Sequence, residues 1–281
     1  MSPAAASPLD WDLGNVPPGI AWGGVDEAGR GAWAGPVVAA CAVLDPDTVA
    51  RWGHVLREAR DSKQLKPERR EALGAELKMV LPAWGVALVD NLGIDRDNIL
   101  EATLQAMRQA VAAAPVRPRL LLVDGNRAPR TGLVERLVVD GDALSCAVAC
   151  ASILAKTHRD ALMVELDRRH PGYGFARHKG YGTPAHVRAL RELGACPAHR
   201  VSYLPVAALV RAEPALWTVL AERLEHCATV AELQAWVEAD LRPAYGRLEP
   251  AWVEALRGRY GERLAQVHLG GGPGPRPDGE P

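Results

Sequence analysis

Residues 20–31 read Ile-Ala-Trp-Gly-Gly-Val-Asp-Glu-Ala-Gly-Arg-Gly and combine an apolar run, two adjacent carboxylates and a glycine-flanked arginine. The apolar run from Ile20 to Asp26 is bounded by glycine and proline, which predicts a strand. Carboxylates at a strand end, here Asp26 and Glu27, can hold a divalent metal ion. The Gly-Arg-Gly turn at residues 29–31 can bring main-chain amides against a phosphate backbone. Together these features favour an enzyme that acts on a phosphodiester.

A second apolar run, residues 36–44, follows closely enough to form an antiparallel hairpin with the first. Similar runs predict further strands over residues 84–90, 120–123 and 133–139. Helical apolar spacing and flanking prolines predict helices over residues 66–80, 98–114, 144–169 and 184–193. Strands first, followed by alternating helices and strands, predict an α/β domain with a mixed sheet.

The character of the chain changes along its 281 residues and predicts four segments. Residues 1–19 carry no basic residue and no long apolar run, so we expect a loose leader rather than a secretory signal. Residues 20–207 hold the α/β pattern. Residues 208–268 are predicted to form a helical C-terminal extension, and residues 269–281 are rich in glycine and proline and are predicted to be disordered.

The bulk composition excludes several classes of protein. Hydrophobic residues make up 48% and charged residues 24%, which is ordinary for a globular protein with a core. No apolar run approaches the ~20 residues that a membrane helix needs. Five cysteines without a Cys-x-x-Cys pair indicate buried thiols in a reducing cytoplasm rather than a zinc site. A net charge of −1 means that nucleic-acid binding would require a local basic face.

Carboxylates follow three of the apolar runs, at Asp26-Glu27, Asp124 and Asp142. Strand ends at one edge of an α/β sheet are where ligands gather. Four acids brought together there would repel one another unless they bound cations, and oxygen-only ligands favour Mg²⁺ or Mn²⁺. Two ions about 4 Å apart could activate a water and stabilise the leaving oxygen of a phosphodiester.

Each of these acids also has a simpler interpretation. Neighbouring side chains on a regular strand point to opposite faces, so Asp26 and Glu27 share a site only if the strand bends or ends there. Asp142 precedes a helix, where a capping role is equally possible, and Asp140 competes with it. Asp124 stands before Gly-Asn, a turn sequence.

Other segments carry groups suited to phosphate. Residues 61–63, Asp-Ser-Lys, are predicted to open a helix, where amide donors favour an anion, although a plain N-cap is the alternative. Ser152 and Lys156 are four apart and share one helical face. Residues 173–175 and 178–182 mix glycines, cations and aromatic rings, which suits backbone contact and stacking, or simple aromatic packing.

Lysine is scarce in this chain. Of the 33 Lys and Arg residues only five are lysine. Lysine is a compact charge that arginine does not replace where space is tight. This bias selects Lys63, Lys156 and Lys179 as candidate ligands of a phosphate.

In their order along the chain, these motifs resemble ribonuclease HII, the bacterial type 2 ribonuclease H. The resemblance covers about residues 20–207, and the matching stretches are residues 25–31, 35–38, 61–63, 123–126, 141–142, 151–156, 173–175, 178–183 and 199–200. It implies a ribonuclease H-like fold, with a five-stranded mixed sheet flanked by helices and a C-terminal helical extension. It also implies a monomeric, Mg²⁺- or Mn²⁺-dependent endoribonuclease that cleaves RNA–DNA hybrids and ribonucleotide-containing duplex DNA. Such enzymes leave 3′-hydroxyl and 5′-phosphate ends.

The resemblance also assigns roles by position. The catalytic and metal-binding acids it implies are Asp26, Glu27, Asp124 and Asp142. The turn that would read the 2′-hydroxyl at an RNA–DNA junction is Gly29, Arg30 and Gly31, and Tyr181 would pack on the neighbouring deoxyribose. Residues that would hold the backbone are Ser62, Lys63 and Lys156, to which the residue pattern adds Ser152 and Lys179.

Two rival interpretations accompany this one. A ribonuclease HIII-like enzyme shares much of the pattern but usually carries a large N-terminal substrate-binding domain, whereas 19 residues precede the first predicted strand here. A catalytically inactive nucleic-acid-binding protein could use the same fold, and the presence of all four acids argues against it. Whether Asp140 assists or replaces Asp142, and whether a sliding clamp binds the chain, the sequence leaves open.

Overall fold

The computed structural model describes residues 7–60, 62, 65–207, 214–244, 248 and 250–268. The chain divides into two compact units, Met1–His186 and Val187–Pro281, whereas the sequence pattern placed a boundary at residue 207. The predicted disordered tail, residues 269–281, lies outside the described residues. Among the described helices, none has the length and hydropathy needed to cross a membrane.

A five-stranded mixed sheet forms the centre of the first unit, as predicted. Its strands are β1 (Trp22–Ala28), β2 (Val37–Leu44), β3 (Ala83–Val89), β4 (Leu120–Asp124) and β5 (Val134–Val138), in the spatial order β3-β2-β1-β4-β5. β1 pairs antiparallel with β2, which confirms the hairpin, and β2 pairs antiparallel with β3. β4 runs parallel to both β1 and β5. The carboxyl ends of β1, β4 and β5 therefore meet at one edge of the sheet.

Helices flank the sheet on both faces. In the first unit they are α1 (Pro8–Asn15), α2 (Pro46–Leu56), α3 (Pro67–Val80), α4 (Asn91–Ala113), α5 (Gly141–Leu144), α6 (Cys146–Arg169) and α7 (Phe175–His178), and α8 (Pro184–Leu193) crosses the unit boundary. The sequence pattern missed α2 and began α4 at Asn98. Asn98 interrupts α4 with a φ of 70°, and its Oδ1 accepts hydrogen bonds from the amides of Leu100 and Glu101. Asn98 thus acts as an N-cap inside the longer helix.

The second unit is helical, as expected for the C-terminal extension. Its helices are α9 (Leu204–Ala207), α10 (Pro214–His226), α11 (Val230–Trp236), α12 (Arg242–Ala244) and α13 (Pro250–His268), with a π-helical turn over Val237–Leu241. Trp217 and Trp252 are buried with their rings edge to face at 5.1 Å. Trp236 is also buried and donates its indole N–H to the Leu220 carbonyl. These tryptophans give the unit a core of its own.

The expectation of a loose leader is wrong for residues 8–15, which form α1. Leu9 is buried in the core, and Asp12 is fully buried. An Asp12 Oδ2 atom accepts hydrogen bonds from the Trp22 indole at 3.1 Å and from the Ala147 amide at 2.9 Å. Ala147 lies in the first turn of α6, where unpaired amides favour a carboxylate. α1 is therefore anchored to both β1 and α6.

Strand β1 and helix α6 approach each other backbone to backbone. A Cβ atom added at Gly24 would lie 2.1 Å from the Ala147 carbonyl carbon and 2.3 Å from the Val148 nitrogen. Neither backbone atom can move without displacing α6, so only glycine permits this approach. The contact determines how closely the α6 side chains reach the carboxyl end of β1.

Gly24→Ala is expected to destabilise the protein by about 3 kcal/mol or more, because the methyl group would collide with backbone atoms. Gly14→Ala in α1 is the matched control, since a Cβ there meets no atom within 4 Å. It should leave the free energy of unfolding unchanged or raise it by up to about 1 kcal/mol. Urea denaturation measures both values. Equal stabilities of the two variants would contradict the role given to Gly24.

Candidate active site

Three carboxylates converge at the carboxyl edge of the sheet. In the parallel pair β1–β4, Val25 lies opposite Val123, so the acids that follow these residues are neighbours. Oxygen atoms of Asp26, Glu27 and Asp124 lie within 4.8 Å of one another. The parallel register thus brings together acids that are about a hundred residues apart in the chain.

Glu27 joins the cluster although β1 continues regularly through it to Ala28. The expected break in the strand comes later, at Gly29, whose φ is +96°. The Glu27 amide donates to Asp26 Oδ1 at 2.7 Å, and Arg30 Nη1 lies 3.5 Å from Glu27 Oε1. Adjacency on one strand therefore does not prevent the two side chains from sharing a site.

The electrostatics of the cluster suit a cation. Burial raises the pKa of Asp26 well above its usual range, and the charges of Glu27 and Asp124 raise it further. Burial likewise raises the pKa of Glu27, although Arg30 opposes this shift. A divalent ion that prefers oxygen ligands offsets the repulsion between clustered carboxylates and stabilises their ionised forms. The donor set therefore fits a divalent metal ion.

Asp124 and the two acids near α5 occupy different positions. Asp124 Oδ1 accepts a hydrogen bond from the Gly141 amide at 2.7 Å, which ties the end of β4 to the start of α5. The N-cap of α5 is Asp140, whose side chain makes no capping hydrogen bond, so Asp142 is not the cap. Asp140 and Asp142 both line the cleft, outside the group of three converging acids.

A cleft of about 550 Å³ opens above the acids. Its walls contain most of the predicted site residues: Asp26, Glu27, Gly29, Arg30, Gly31, Ser62, Asp124, Asp142, Ser152, Lys156 and Tyr181. Lys63 lies outside the described residues. Lys179 does not line the cleft, because its Nζ atom donates to the Ala176 carbonyl at 2.7 Å. Among the described residues, the structure thus gathers the predicted residues into one site, with the exception of Lys179.

Two serines connect the cleft wall to Asp26. Ser62 Oγ and Ser152 Oγ are 3.0 Å apart and buried, and the Ser152 hydroxyl also hydrogen-bonds Asp26. Of the residues 61–63 predicted to open a helix, 61 and 63 lie outside the described residues, and α3 begins later, at Pro67, with Lys66 as its N-cap. Ser62 acts instead through its contact with α6.

Lys156 is held in place by a buried ionic network. Its Nζ atom lies 2.7 Å from Asp160 Oδ1, and Arg70 Nη2 lies 3.2 Å from Asp160 Oδ2. Burial lowers the pKa of Lys156, and Asp160 opposes that shift. Arg70 also donates to the Ser62 carbonyl at 2.9 Å. One carboxylate therefore orients both the lysine and the segment that carries Ser62.

Arg159 is the main residue that the sequence pattern missed. It is fully buried and donates to the carbonyls of Pro36, Ala34 and Lys179 at 2.9, 3.1 and 2.9 Å. Its guanidinium also packs against Gly29, where an added Cβ would lie 1.9 Å from Nε. Arg159 follows Ser152 by seven residues and Lys156 by three, so helical periodicity places it on the same face. This helical periodicity is the signal by which the sequence could have identified Arg159.

The aromatic side chains that follow α6 are of two kinds, some packed against one another and one exposed. Tyr173 and Phe175 are buried and stacked at 5.3 Å, which fits the structural interpretation of these two rings. His186 stacks on His178 at 4.5 Å, and burial lowers its pKa to about 4. Tyr181 is 38% exposed, with the Arg159 guanidinium 5.6 Å from its ring centre. Only Tyr181 in this loop presents a ring to the cleft.

Comparisons with known proteins agree with this geometry. The family model Ribonuclease HII matches residues 23–206. Ribonuclease HII of Polaromonas sp. strain JS666 is 47% identical over 208 residues, 74% of this chain and 99% of that protein. Ribonuclease HII of Bordetella pertussis is 49% identical over 185 residues, 66% of this chain and 89% of that protein.

A solved structure shares the fold. The ribonuclease H2 of Pyrococcus horikoshii OT3 superposes with a TM-score of 0.58 at 27% identity, over 68% of this chain and 97% of that one. The family model, which spans residues 23–206, includes the strands that carry the converging acids. On these grounds the chain belongs to the ribonuclease HII family, and it is a nuclease with ribonuclease H activity.

Proposed function

We propose that the protein cleaves RNA in RNA–DNA hybrids and at single ribonucleotides embedded in duplex DNA. The observation that carries this proposal is the cleft in which three converging acids face the Gly29–Gly31 turn and Tyr181. The acids suit a phosphodiester, and the turn and the ring suit the sugar on either side of it. The proposed products carry 3′-hydroxyl and 5′-phosphate ends.

Divalent ions, Mg²⁺ or Mn²⁺, are proposed to be held by Asp26, Glu27, Asp124 and Asp142. When bound as a pair, such ions supply an activated water and stabilise charge on the phosphate during in-line hydrolysis. Ser152 hydrogen-bonds Asp26 and Gly141 hydrogen-bonds Asp124, so both carboxylates are oriented before any ion arrives. This preorganisation is the contribution of the fold.

The remaining cleft residues position the substrate in this proposal. Gly31 is exposed at the cleft, where its main-chain amide can meet a ribose 2′-hydroxyl, whereas Gly29 is buried against the Arg159 guanidinium and shapes the turn. Arg30, half-exposed beside Glu27, lies where it can meet a phosphate. Tyr181 offers its ring to the adjacent deoxyribose, with Arg159 behind it. Lys156, whose Nζ atom lies 6.0 Å from the centre of the Tyr181 ring, supplies positive charge in the same cleft. We propose that the protein works as a monomer in the cytoplasm.

Asp124→Asn is expected to abolish cleavage of a DNA duplex that contains one ribonucleotide, while binding of that duplex persists. The amide oxygen can still accept the hydrogen bond from Gly141, so the fold is retained and only the charge is lost. Gel-resolved cleavage with Mg²⁺ and a separate binding titration measure the two effects. Wild-type-like cleavage by this variant, or no cleavage by the wild-type protein, would refute the proposed function.

Substitutions at Asp142 and Asp140 identify the fourth acid. Asp142→Asn is expected to lower kcat by about 10- to 100-fold or more, since it removes a proposed metal ligand. Asp140→Asn should change kcat by less than about 3-fold, because Asn tolerates the φ of 53° at that position. The reverse ranking of the two variants would assign the fourth ligand to Asp140.

Metal binding is expected to strengthen as the pH rises. Burial raises the pKa values of Asp26 and Glu27, so an incoming cation must displace protons that the folded protein holds. The apparent Kd for Mg²⁺ should therefore decrease as the pH is raised from about 5 to about 8. In the metal-free protein these carboxyls stabilise the folded state fully below their ordinary pKa, and this contribution is lost as the pH rises through the raised values.

Thermal melts in EDTA and in Mg²⁺, at about pH 5 and about pH 8, measure the stability of the metal-free protein and its increase on metal binding. The rise in Tm on adding Mg²⁺ should be larger at the higher pH for the wild-type protein. Asp26→Asn removes the group whose pKa is raised well above its usual range and should flatten this dependence. A metal-induced rise in Tm that is the same at both pH values would contradict the coupling.

A further inference from the structure

A second cavity lies beside the catalytic cleft, between α4 and the loop that joins β4 to β5. Its volume is about 340 Å³. We call it the arginine groove, after the residues that define it: Leu100 and Leu104 on α4, with Arg108, and Asn126, Arg127 and Arg130 on the loop. None of these residues belongs to the motifs that the sequence pattern selected for catalysis, apart from Asn126 in residues 123–126.

The arginine groove is continuous with the catalytic cleft. A small intermediate cavity shares Glu27, Arg30 and Asp124 with the cleft. The same cavity shares Leu100, Leu104, Asn126 and Arg127 with the arginine groove. The three cavities therefore adjoin one another, with Arg30 and Asp124 on the side of the catalytic acids and Asn126 and Arg127 on the side of the groove.

The charge of the groove suits an anion. Three arginines line it against one acid, Glu101. Arg127 and Arg130 are exposed, and among the described residues the side chain of neither forms an ion pair. By contrast, Arg168 and Arg169, on the exposed face of α6, are both paired with Glu165. Arginine fits phosphate oxygens with its planar array of donors.

The backbone that carries these arginines is held in place by internal hydrogen bonds. Arg108 Nη1 donates to the Pro129 carbonyl at 3.0 Å, which ties the loop to α4. The Glu135 carboxylate accepts hydrogen bonds from the amide of Arg130 at 3.2 Å and from the amide and hydroxyl of Thr131 at 2.5 and 2.7 Å. The Glu135 carboxylate thus accepts hydrogen bonds from donors of the loop, and Arg127 and Arg130 line the groove.

We propose that the arginine groove binds the sugar–phosphate backbone of the cleaved strand where that strand leaves the catalytic cleft. The inference rests on the proposed function, which places the scissile phosphate at the acids. Phosphates would meet Arg127 and Arg130, while the half-buried Leu100 and Leu104 would pack against the sugars. Phosphate contacts position a strand without reading its bases, so this site adds affinity and register but no sequence preference.

The test compares Arg127→Gln, Arg130→Gln and the double variant with Arg51→Gln, each in the Asp124→Asn background. Arg51 is an exposed arginine on α2 that does not line the cleft or the groove. The probe is a DNA duplex with one central ribonucleotide, titrated at several salt concentrations. Each groove substitution should reduce the magnitude of the slope of log K against log salt by about 0.9, and Arg51→Gln should not. With Asp124 restored, the groove substitutions should raise KM rather than lower kcat.

Duplexes shortened on one side of the ribonucleotide locate the contact. The loss of affinity in the double variant should disappear when the duplex is shortened on one side of the ribonucleotide. It should persist when the duplex is shortened on the other side. The proposal is overturned if the double variant equals Arg51→Gln in its affinity for the duplex and in the slope of log K against log salt. It is also overturned if the loss of affinity persists whichever flank of the duplex is removed. These binding results are independent of turnover, so failure of the wild-type protein to cleave would refute the proposed function separately.

Discussion

The active site depends on the backbone contact between strand β1 and helix α6 at Gly24 and Ala147. Because no side chain separates the two elements there, α6 lies close enough for Ser152 to hydrogen-bond Asp26. Two turns further along, Arg159 reaches the Gly29 turn from the same face of the helix. A larger residue at position 24 would move the helix away from the strand and separate the groups that orient the acids from the acids themselves.

Burial and mutual repulsion set the chemistry of the acids. Asp26 and Glu27 are held in an environment that disfavours their ionised forms, and a divalent cation is the partner that reverses this. Main-chain amides help to keep the oxygens in place, since Asp26 accepts a hydrogen bond from the Glu27 amide and Asp124 accepts one from the Gly141 amide. At the cleft wall, Lys156 pairs with Asp160, which does not belong to the cluster, at 2.7 Å.

The sequence predicted the parts of the fold that have a local signature. All five strands and the long helices α3 and α6 were found, because their apolar residues repeat with a period that a short window reveals. α1 was missed because it is short and is stabilised by contacts of Asp12 with residues distant in the chain, Trp22 and Ala147. Lys179 stays a predicted ligand of the substrate, although it is not among the residues that line the cleft and its Nζ atom donates to the Ala176 carbonyl.

By itself the sequence predicted candidate residues for the chemistry. Acids at strand ends, a glycine-flanked arginine, and a serine and a lysine on one helical face are all properties of neighbouring residues, and local periodicity reveals them. Only the tertiary structure decided that Asp124 joins Asp26 and Glu27, that Arg159 supports the Gly29 turn, and that arginines beyond β4 continue the cleft. These relations depend on parallel strand register and helix packing between segments about a hundred residues apart, which no local pattern encodes.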